Sequence, residues 1–231
     1  MRDGWLLTPG QVPYRAAYEA MHDLAARRAA GAVPDTLILL EHPPVYTAGR
    51  RTDRAHLLLT EEDAARSGAE LHEVDRGGSV TFHGPGQLVG YPILHLGPAP
   101  DVVAYLRDVE EAVIRACADL GVRVGRSDGH TGVWSGSRKV CAIGVRVSRG
   151  VTLHGFALNC ATDLAWFGAI VPCGLPDRGV TSLTELAGRP VTVEEALPVV
   201  RARFEEVFGL RLSPPTGVGA GALRASAPAP A

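Results

Sequence analysis

Lysine is almost absent from this sequence. Of its 23 basic residues one, Lys139, is a lysine and the other 22 are arginines. A guanidinium stays protonated at any physiological pH, whereas an amine can give up its proton when burial or neighbouring charge disfavours the ammonium. A basic side chain that must titrate therefore has one place to be, unless Lys139 is merely the position that escaped replacement. Cysteine is scarce too: Cys117, Cys141, Cys160 and Cys173, with no C-x-x-C spacing. That absence, and the lack of H-E-x-x-H, leave no zinc motif, so no metal is expected. The opening residues hold no signal segment and no apolar run approaches a membrane span. A cytoplasmic protein with free thiols, off the membrane, is the expectation. A net charge of −2 gives no global field for nucleic acid. There is no G-x-x-x-x-G-K-[S/T] and no G-x-G-x-x-G after a strand, so the usual phosphate cradles are missing.

What is present suits one sizeable domain: 231 residues, 46% of them hydrophobic. Residues 13–31 are alanine-rich between a proline and a glycine and read as a helix. "DTLILLEH" is a buried strand, 60–68 a short helix after Thr60, and "AELHEVD" a strand ending at Asp75. "GQLVGYPILHL" is a further strand in which Pro92 argues for an edge or a bulge. The longest helix, 101–121, is capped by Asp101 and repeats Val102, Leu106, Val109, Val113, Cys117 and Leu120 at helical spacing, which places Cys117 in the core. Residues 138–160 form a β-hairpin around "SRG". A helical piece at 162–168 precedes the loop "VPCGLPDRG". Thr192 and Glu195 make a capping box for a last helix ending at Gly209, with Pro198 in its early turns. One α+β domain with a mixed sheet, 1–213, followed by a disordered tail, 214–231, is the simplest organisation.

"RGGSVTFHGPGQ", 76–87, is dense in glycine and proline. It suits a backbone that must approach something closely, and equally a structural turn. Together with "EHPPVYTAGR", "GVWSGSRKVCAIGVRV", "LHGFALN" and "IVPCGLPDRGVTSL" it resembles the lipoyl(octanoyl) transferases in family order over most of the chain. The resemblance implies an α+β fold of the biotin/lipoate protein ligase type, akin to class II aminoacyl-tRNA synthetases, with helices flanking a mixed sheet. It implies transfer of octanoyl from acyl carrier protein to a lysine of lipoyl domains, those of 2-oxoacid dehydrogenase E2 subunits and the glycine cleavage H protein. This would be the first committed step of lipoylation from endogenous fatty acid. No ATP or other cofactor is implied beyond the carrier's phosphopantetheine, and a monomer is expected. In the matching motifs substrate falls to Arg76, Gly77, Gly78, Ser79, Val80, Thr81, Phe82 and His83, to Ala142, Ile143 and Gly144, and to Gly155, Phe156 and Ala157. Phe82 stands where the family usually has tyrosine, which keeps the ring and removes a hydroxyl.

The resemblance makes Cys173 the acyl-thioester nucleophile and Lys139 the group that activates it. The residues agree: Cys173 lies in a loop between a proline and a glycine, where a thiol can be exposed. A thiol beside an ammonium ionises more readily. A rival exists. In an extended strand Lys139 and Cys141 share a face, so local geometry alone offers Cys141 as partner thiol, against core packing. Packing is the reading for Cys160. His83 and His154 suit either substrate binding and proton shuttling or structural hydrogen bonds. Arg50, Arg51 and Arg54, and also Arg146 and Arg149, are candidate basic surfaces for an acidic carrier. An ATP-dependent ligase, a lipoyl-relay amidotransferase or an inactive lipoyl-domain binder are the competing functions.

Overall fold

The computed structural model describes residues 1–171 and 178–215. Along them the chain forms β1 (Arg2–Gln11), α1 (Tyr14–Ala29), β2 (Thr36–Glu41), β3 (Val45–Ala48), α2 (Glu61–Arg66), β4 (Glu70–Glu73), β5 (Val80–His83) and β6 (Gln87–Ile93). It continues with α3 (Val102–Asp119), β7 (Gly125–Ser127), β8 (His130–Ser135), β9 (Arg138–Ser148), β10 (Val151–Asn159), β11 (Gly179–Val180), α4 (Leu183–Ala187), α5 (Val193–Phe208) and β12 (Leu210–Ser213). Two 3-10 turns lie at Arg54–His56 and Leu164–Ala169.

The main sheet runs β12-β1-β2-β6-β10-β9-β8-β7, with β11 beside β9, and a small sheet β4-β3-β5 stands apart from it. The main sheet is mixed: β1 is parallel to β12 and β2, while β2, β6, β10, β9 and β8 pair antiparallel in turn. Because successive strand residues face opposite ways, Leu37 and Leu39 join α3 and α5 in one core, and Ile38 and Leu40 join α1 in another. This is the α+β layering the sequence implies. Phe204 of α5 stacks on Phe156 of β10 at 5.1 Å and on Phe208 at 5.3 Å, so truncating it to alanine would cost about 3–5 kcal/mol. Cys117 and Cys160 are fully buried in the α3/α5 core, as expected. Burial pushes the Cys117 thiol up to about 12. No helix among the described residues is long and apolar enough to cross a membrane.

Several local expectations are modified by tertiary contacts. Pro92 lies in an interior strand, not at an edge, and the β6–β10 ladder opens around it. The register is the same on both sides, Phe156 facing Gly90 and Val151 facing His95. Between them Pro92 has no N–H to give and its carbonyl accepts from the Thr152 hydroxyl at 2.6 Å. His154, with φ 58°, turns its N–H to the Met21 sulfur at 3.0 Å. At α5 only half of the capping box forms: Thr192 accepts from the Glu195 N–H, but the Glu195 carboxylate goes to Arg189. The complete box is at α2, between Thr60 and Asp63. The glycine-rich loop contains a strand, β5, created by pairing with β3. Of the expected tail, residues 216–231 lie outside the described residues.

Candidate active site

A cavity of about 360 Å³ opens above the middle of β9 and β10, in the size range of small-ligand pockets. Its walls include Arg76, Gly77, Gly78, Ser79, Val80, Thr81 and His83 from the glycine-rich loop, Ala142, Ile143 and Gly144 from β9, and Gly155, Phe156 and Ala157 from β10. Lys139 and His154 line it as well. Phe82 does not. Strand alternation in β5 sends its ring into a satellite core, where it stacks on Trp166 at 5.1 Å and meets Phe167 edge-on. The cavity also takes Tyr14, Arg51, Tyr91, Val102 and Leu106, none of them expected as wall. Val102 and Leu106 carry no site signature, because they continue the apolar stripe of α3 beyond the point where the core ends.

Small residues permit these close approaches. A Cβ on Gly144 would lie 3.0 Å from the Gly77 carbonyl and 3.1 Å from Arg76 Cδ, so the loop rests directly on β9. The Gly77 N–H donates to the Val145 carbonyl at 3.0 Å. Arg76, nearly buried, donates to the carbonyls of Ser79 and Thr47, both at 2.7 Å, and to the Thr47 hydroxyl at 2.9 Å.

A buried polar chain runs on from there. The Thr47 hydroxyl lies 3.5 Å from His83 Nε2, and His83 Nδ1 is 2.8 Å from Gln87 Oε1. Gln87 spends its amide protons on the Phe82 carbonyl and Asn159 Oδ1, so its oxygen must accept and the His83 proton sits on Nδ1. Asn159 in turn donates to the Thr181 carbonyl, and the Thr181 N–H donates to the Lys139 carbonyl, both at 3.0 Å. Burial pushes His83 down to about 3, so it is a neutral imidazole with a structural place in this chain.

Lys139 owes its position to a β-bulge. Val133 pairs with Cys141 but the next residue, Trp134, pairs with Lys139, so β9 carries one extra residue. Val140 and Cys141 both enter the α3/α5 core, and Lys139 lines the cavity. Its Nζ lies 4.5 Å above the Trp134 ring, which also carries the Arg178 guanidinium at 5.0 Å. Gly132, at φ 124°, leaves the room: a Cβ there would be 2.7 Å from the Cys141 carbonyl and 3.2 Å from Lys139 Cε. Trp134 and Gly132 stand in the quoted motif, but nothing in their spacing says that one underlies the lysine and the other makes space for it. Burial raises the Cys141 thiol well above its ordinary value, which removes it as a thiolate. Cys173 lies outside the described residues. The chain on either side of 172–177 is anchored nearby. Val171 N–H donates to the His56 carbonyl at 2.9 Å, and β11 pairs Gly179 and Val180 with Arg138 and Lys139.

His154 Nε2 is 2.6 Å from the Asp75 carboxylate, which also pairs with Arg146 and lies 3.6 Å from His22. The hydrogen bond from His154, with the Arg146 charge beside it, holds Asp75 well below the usual carboxylate range. His22, Asp75 and His154 are the one group of metal-type donors among the described residues, their atoms within 4.8 Å. The guanidinium on Asp75 means that a cation there would have to displace another cation. Arg146 is thus occupied, and Arg149 sits at the far hairpin turn, where Arg149 and Gly150 both take positive φ between the paired Ser148 and Val151.

Lipoate and biotin ligases share this architecture. Lipoate-protein ligase A bound with ATP matches at TM-score 0.78 and 19% identity, covering 96% of this chain and 92% of that one. A bi-partite lipoate protein ligase from Thermoplasma acidophilum matches at 0.74 and 18%, covering 97% and 91%. Biotin protein ligase from Aquifex aeolicus in complex with biotin and ATP matches at 0.54 and 14%, covering 89% and 70%. The fold is therefore of the biotin/lipoate ligase type. The family model for the lipoyl protein ligase A/B catalytic domain matches residues 13–205. The octanoyltransferase of Acidothermus cellulolyticus is 52% identical over 202 residues, 85% of this chain and 88% of that protein. The octanoyltransferase of Mycobacterium tuberculosis strain H37Rv is 55% identical over 196 residues, 84% and 82%. The chain belongs to the lipoyl protein ligase A/B catalytic-domain family, among its octanoyltransferases, and is an acyltransferase.

Proposed function

We propose that this enzyme moves octanoyl from the thioester of an acyl carrier protein to a lysine amine on a lipoyl domain, holding it in between as a thioester on Cys173. The observation that carries the reading is the placement of Lys139. The chain's single lysine faces the cavity beside Trp134, and the strand that leaves the Cys173 segment is paired to it. Its ammonium would lower the Cys173 thiol from an ordinary value of about 8.5.

In the first step the Cys173 thiolate attacks the donor carbonyl. The carbon–sulfur bond to the carrier's arm breaks, and the departing thiolate takes a proton from Lys139. One thioester replaces another, so the step is nearly balanced. In the second step the acceptor amine attacks octanoyl-Cys173, its proton goes to the now neutral Lys139, and Cys173 leaves as thiolate. An amide forms from a thioester, so this step runs downhill and uses no ATP and no metal. Each tetrahedral intermediate needs N–H donors, worth about 2.7–4 kcal/mol apiece. The small residues of β9 and β10 line the cavity, which lets a reacting carbonyl come close to their backbone. The acceptor class is supported by the Thermoplasma ligase of the same fold, which is described with its E2 lipoyl domain.

Intact-protein mass spectrometry after incubation with octanoyl-loaded carrier protein, without ATP, tests this. One octanoyl group should be gained, lost in Cys173→Ser and kept in Cys141→Ser. An adduct that survives Cys173→Ser, or acyl transfer only from free octanoate with ATP, would favour the ligase reading instead.

A further inference from the structure

Arginines in this protein are mostly neutralised. Ion pairs to carboxylates hold Arg28, Arg107, Arg126, Arg138, Arg146, Arg189 and Arg203, among others. One stretch departs from that habit. Arg50, Arg51 and Arg54 are all exposed, and none has a carboxylate partner among the described residues. The only acid between residues 49 and 59 is Asp53, whose carboxylate accepts from the Ala55 N–H. Three guanidinium groups within five residues, with one carboxylate among them, make a local positive patch that attracts an anionic partner.

The stretch is also held in place. Arg50 N–H donates to the Arg76 carbonyl and Arg51 N–H to the Gly78 carbonyl, both at 3.1 Å. Gly49 makes the approach possible, since a Cβ there would lie 2.6 Å from the Gly78 oxygen. His56 Nδ1 meets the Ser79 hydroxyl at 3.2 Å. The arginines are therefore stitched along the glycine-rich wall of the cavity, and Arg51 is itself part of that wall. Another edge of the opening is apolar. Val102 lines the cavity while 36% exposed, and Val103 next to it is 67% exposed. Leu58, 62% exposed, follows the arginines, so three of the four exposed large hydrophobics among the described residues lie in these two segments.

We infer that this rim is the docking surface of the acyl donor: an acidic carrier whose acyl arm is joined through a phosphodiester. Arg51 and its neighbours would take the phosphate as the arm enters, since guanidinium pairs bidentately with phosphate oxygens. Arg50 and Arg54 would face carboxylates of the carrier, and Val102 and Val103 its apolar contact. The acceptor carries no such phosphate, which is why the donor is assigned here. The inference rests on the carrier-dependent transfer proposed above.

The test is Arg50→Gln/Arg54→Gln, assayed with octanoyl-carrier protein, with an octanoyl-pantetheine thioester lacking phosphate and protein, and across lipoyl-domain concentrations. The ratio of kcat/KM for the carrier-bound donor to that for the small thioester should fall about tenfold, through KM, with a weaker salt dependence. An unchanged ratio would overturn the inference. So would a rise in KM confined to the lipoyl domain, which would give the rim to the acceptor. If neither thioester acylates the wild-type chain, the transfer reading itself fails; if both do and the ratio holds, only the docking surface does. Activity on the small thioester reports that the variant is folded.

Discussion

Lys139 and Cys141 are two residues apart on one strand, yet a bulge at Val140 separates them. The thiol lies in the α3/α5 core and the amine lines the cavity. A regular strand would have made them neighbours on one face. The consequence is chemical. Burial raises the Cys141 thiol, and those of Cys117 and Cys160, so none offers a thiolate near neutral pH. Alkylation of the native protein at pH 7 should leave all three unmodified in peptide maps. Modification of Cys141 before unfolding would contradict its placement.

Lys139 is asked to do two things, and two substitutions divide them. Lys139→Met removes charge and proton together and should lower turnover by about 10²–10⁴-fold. Lys139→Arg keeps a cation over Trp134 but cannot release its proton at neutral pH. A carrier thiolate can leave without that proton, so this variant should still form the acyl-enzyme, more slowly, and then stall before the acceptor; rapid-quench kinetics would show one equivalent of carrier released with little amide formed. Equal multiple-turnover rates for arginine and lysine would remove the proton-transfer role.

Gly132 supports that lysine sterically. Gly132→Ala places a Cβ against the Cys141 carbonyl and Lys139 Cε at φ 124°, and should cost about 1–3 kcal/mol of stability as well as activity. Gly136→Ala, also at positive φ but with nothing within 4 Å, is the control and should leave kcat nearly intact. Urea midpoints and kcat for both variants check this; equal kcat losses would deny Gly132 its particular role.

Acid should destabilise the fold well above the range where carboxylates titrate. Burial pushes His42 down to about 4 and His83 to about 3, and lowers His154 too. An imidazole in the unfolded chain titrates near about 6.5. Below that value the unfolded chain binds protons that the folded one refuses, so stability is full above it and falls as pH drops toward the folded values. Each such group removes about 1.4 kcal/mol per pH unit inside its window. Asp75, held low, acts in the same direction but only below the ordinary aspartate range. The urea midpoint should decline steadily from pH 7 to pH 5, and less so in His42→Gln. A flat profile would mean these rings are charged in the folded state.

Composition and periodicity were enough to delineate α1, α3, α5 and the β9–β10 hairpin, because their signals are local: caps, helical spacing, a glycine turn. The lone lysine and the glycine-rich loop were visible for the same reason, and of the described residues that the motif stretches assigned to substrate all but Phe82 line the cavity, while Tyr14, Arg51, Val102, Leu106 and residues 129–131 complete its wall from outside those stretches. Tertiary structure decided the rest. β1 and β12 pair across some two hundred residues, and β5 exists only against β3. Gln87 and Asn159, 72 residues apart, fix the His83 tautomer. Phe82 turned away from the cavity because an aromatic core lay on the other face, and one inserted residue in β9 sent Lys139 and Cys141 to different environments. Sequence spacing specifies which side chains can share a face of an isolated element. Which face is buried, and where a strand must bulge to stay paired, depends on partners brought together only when the chain closes on itself.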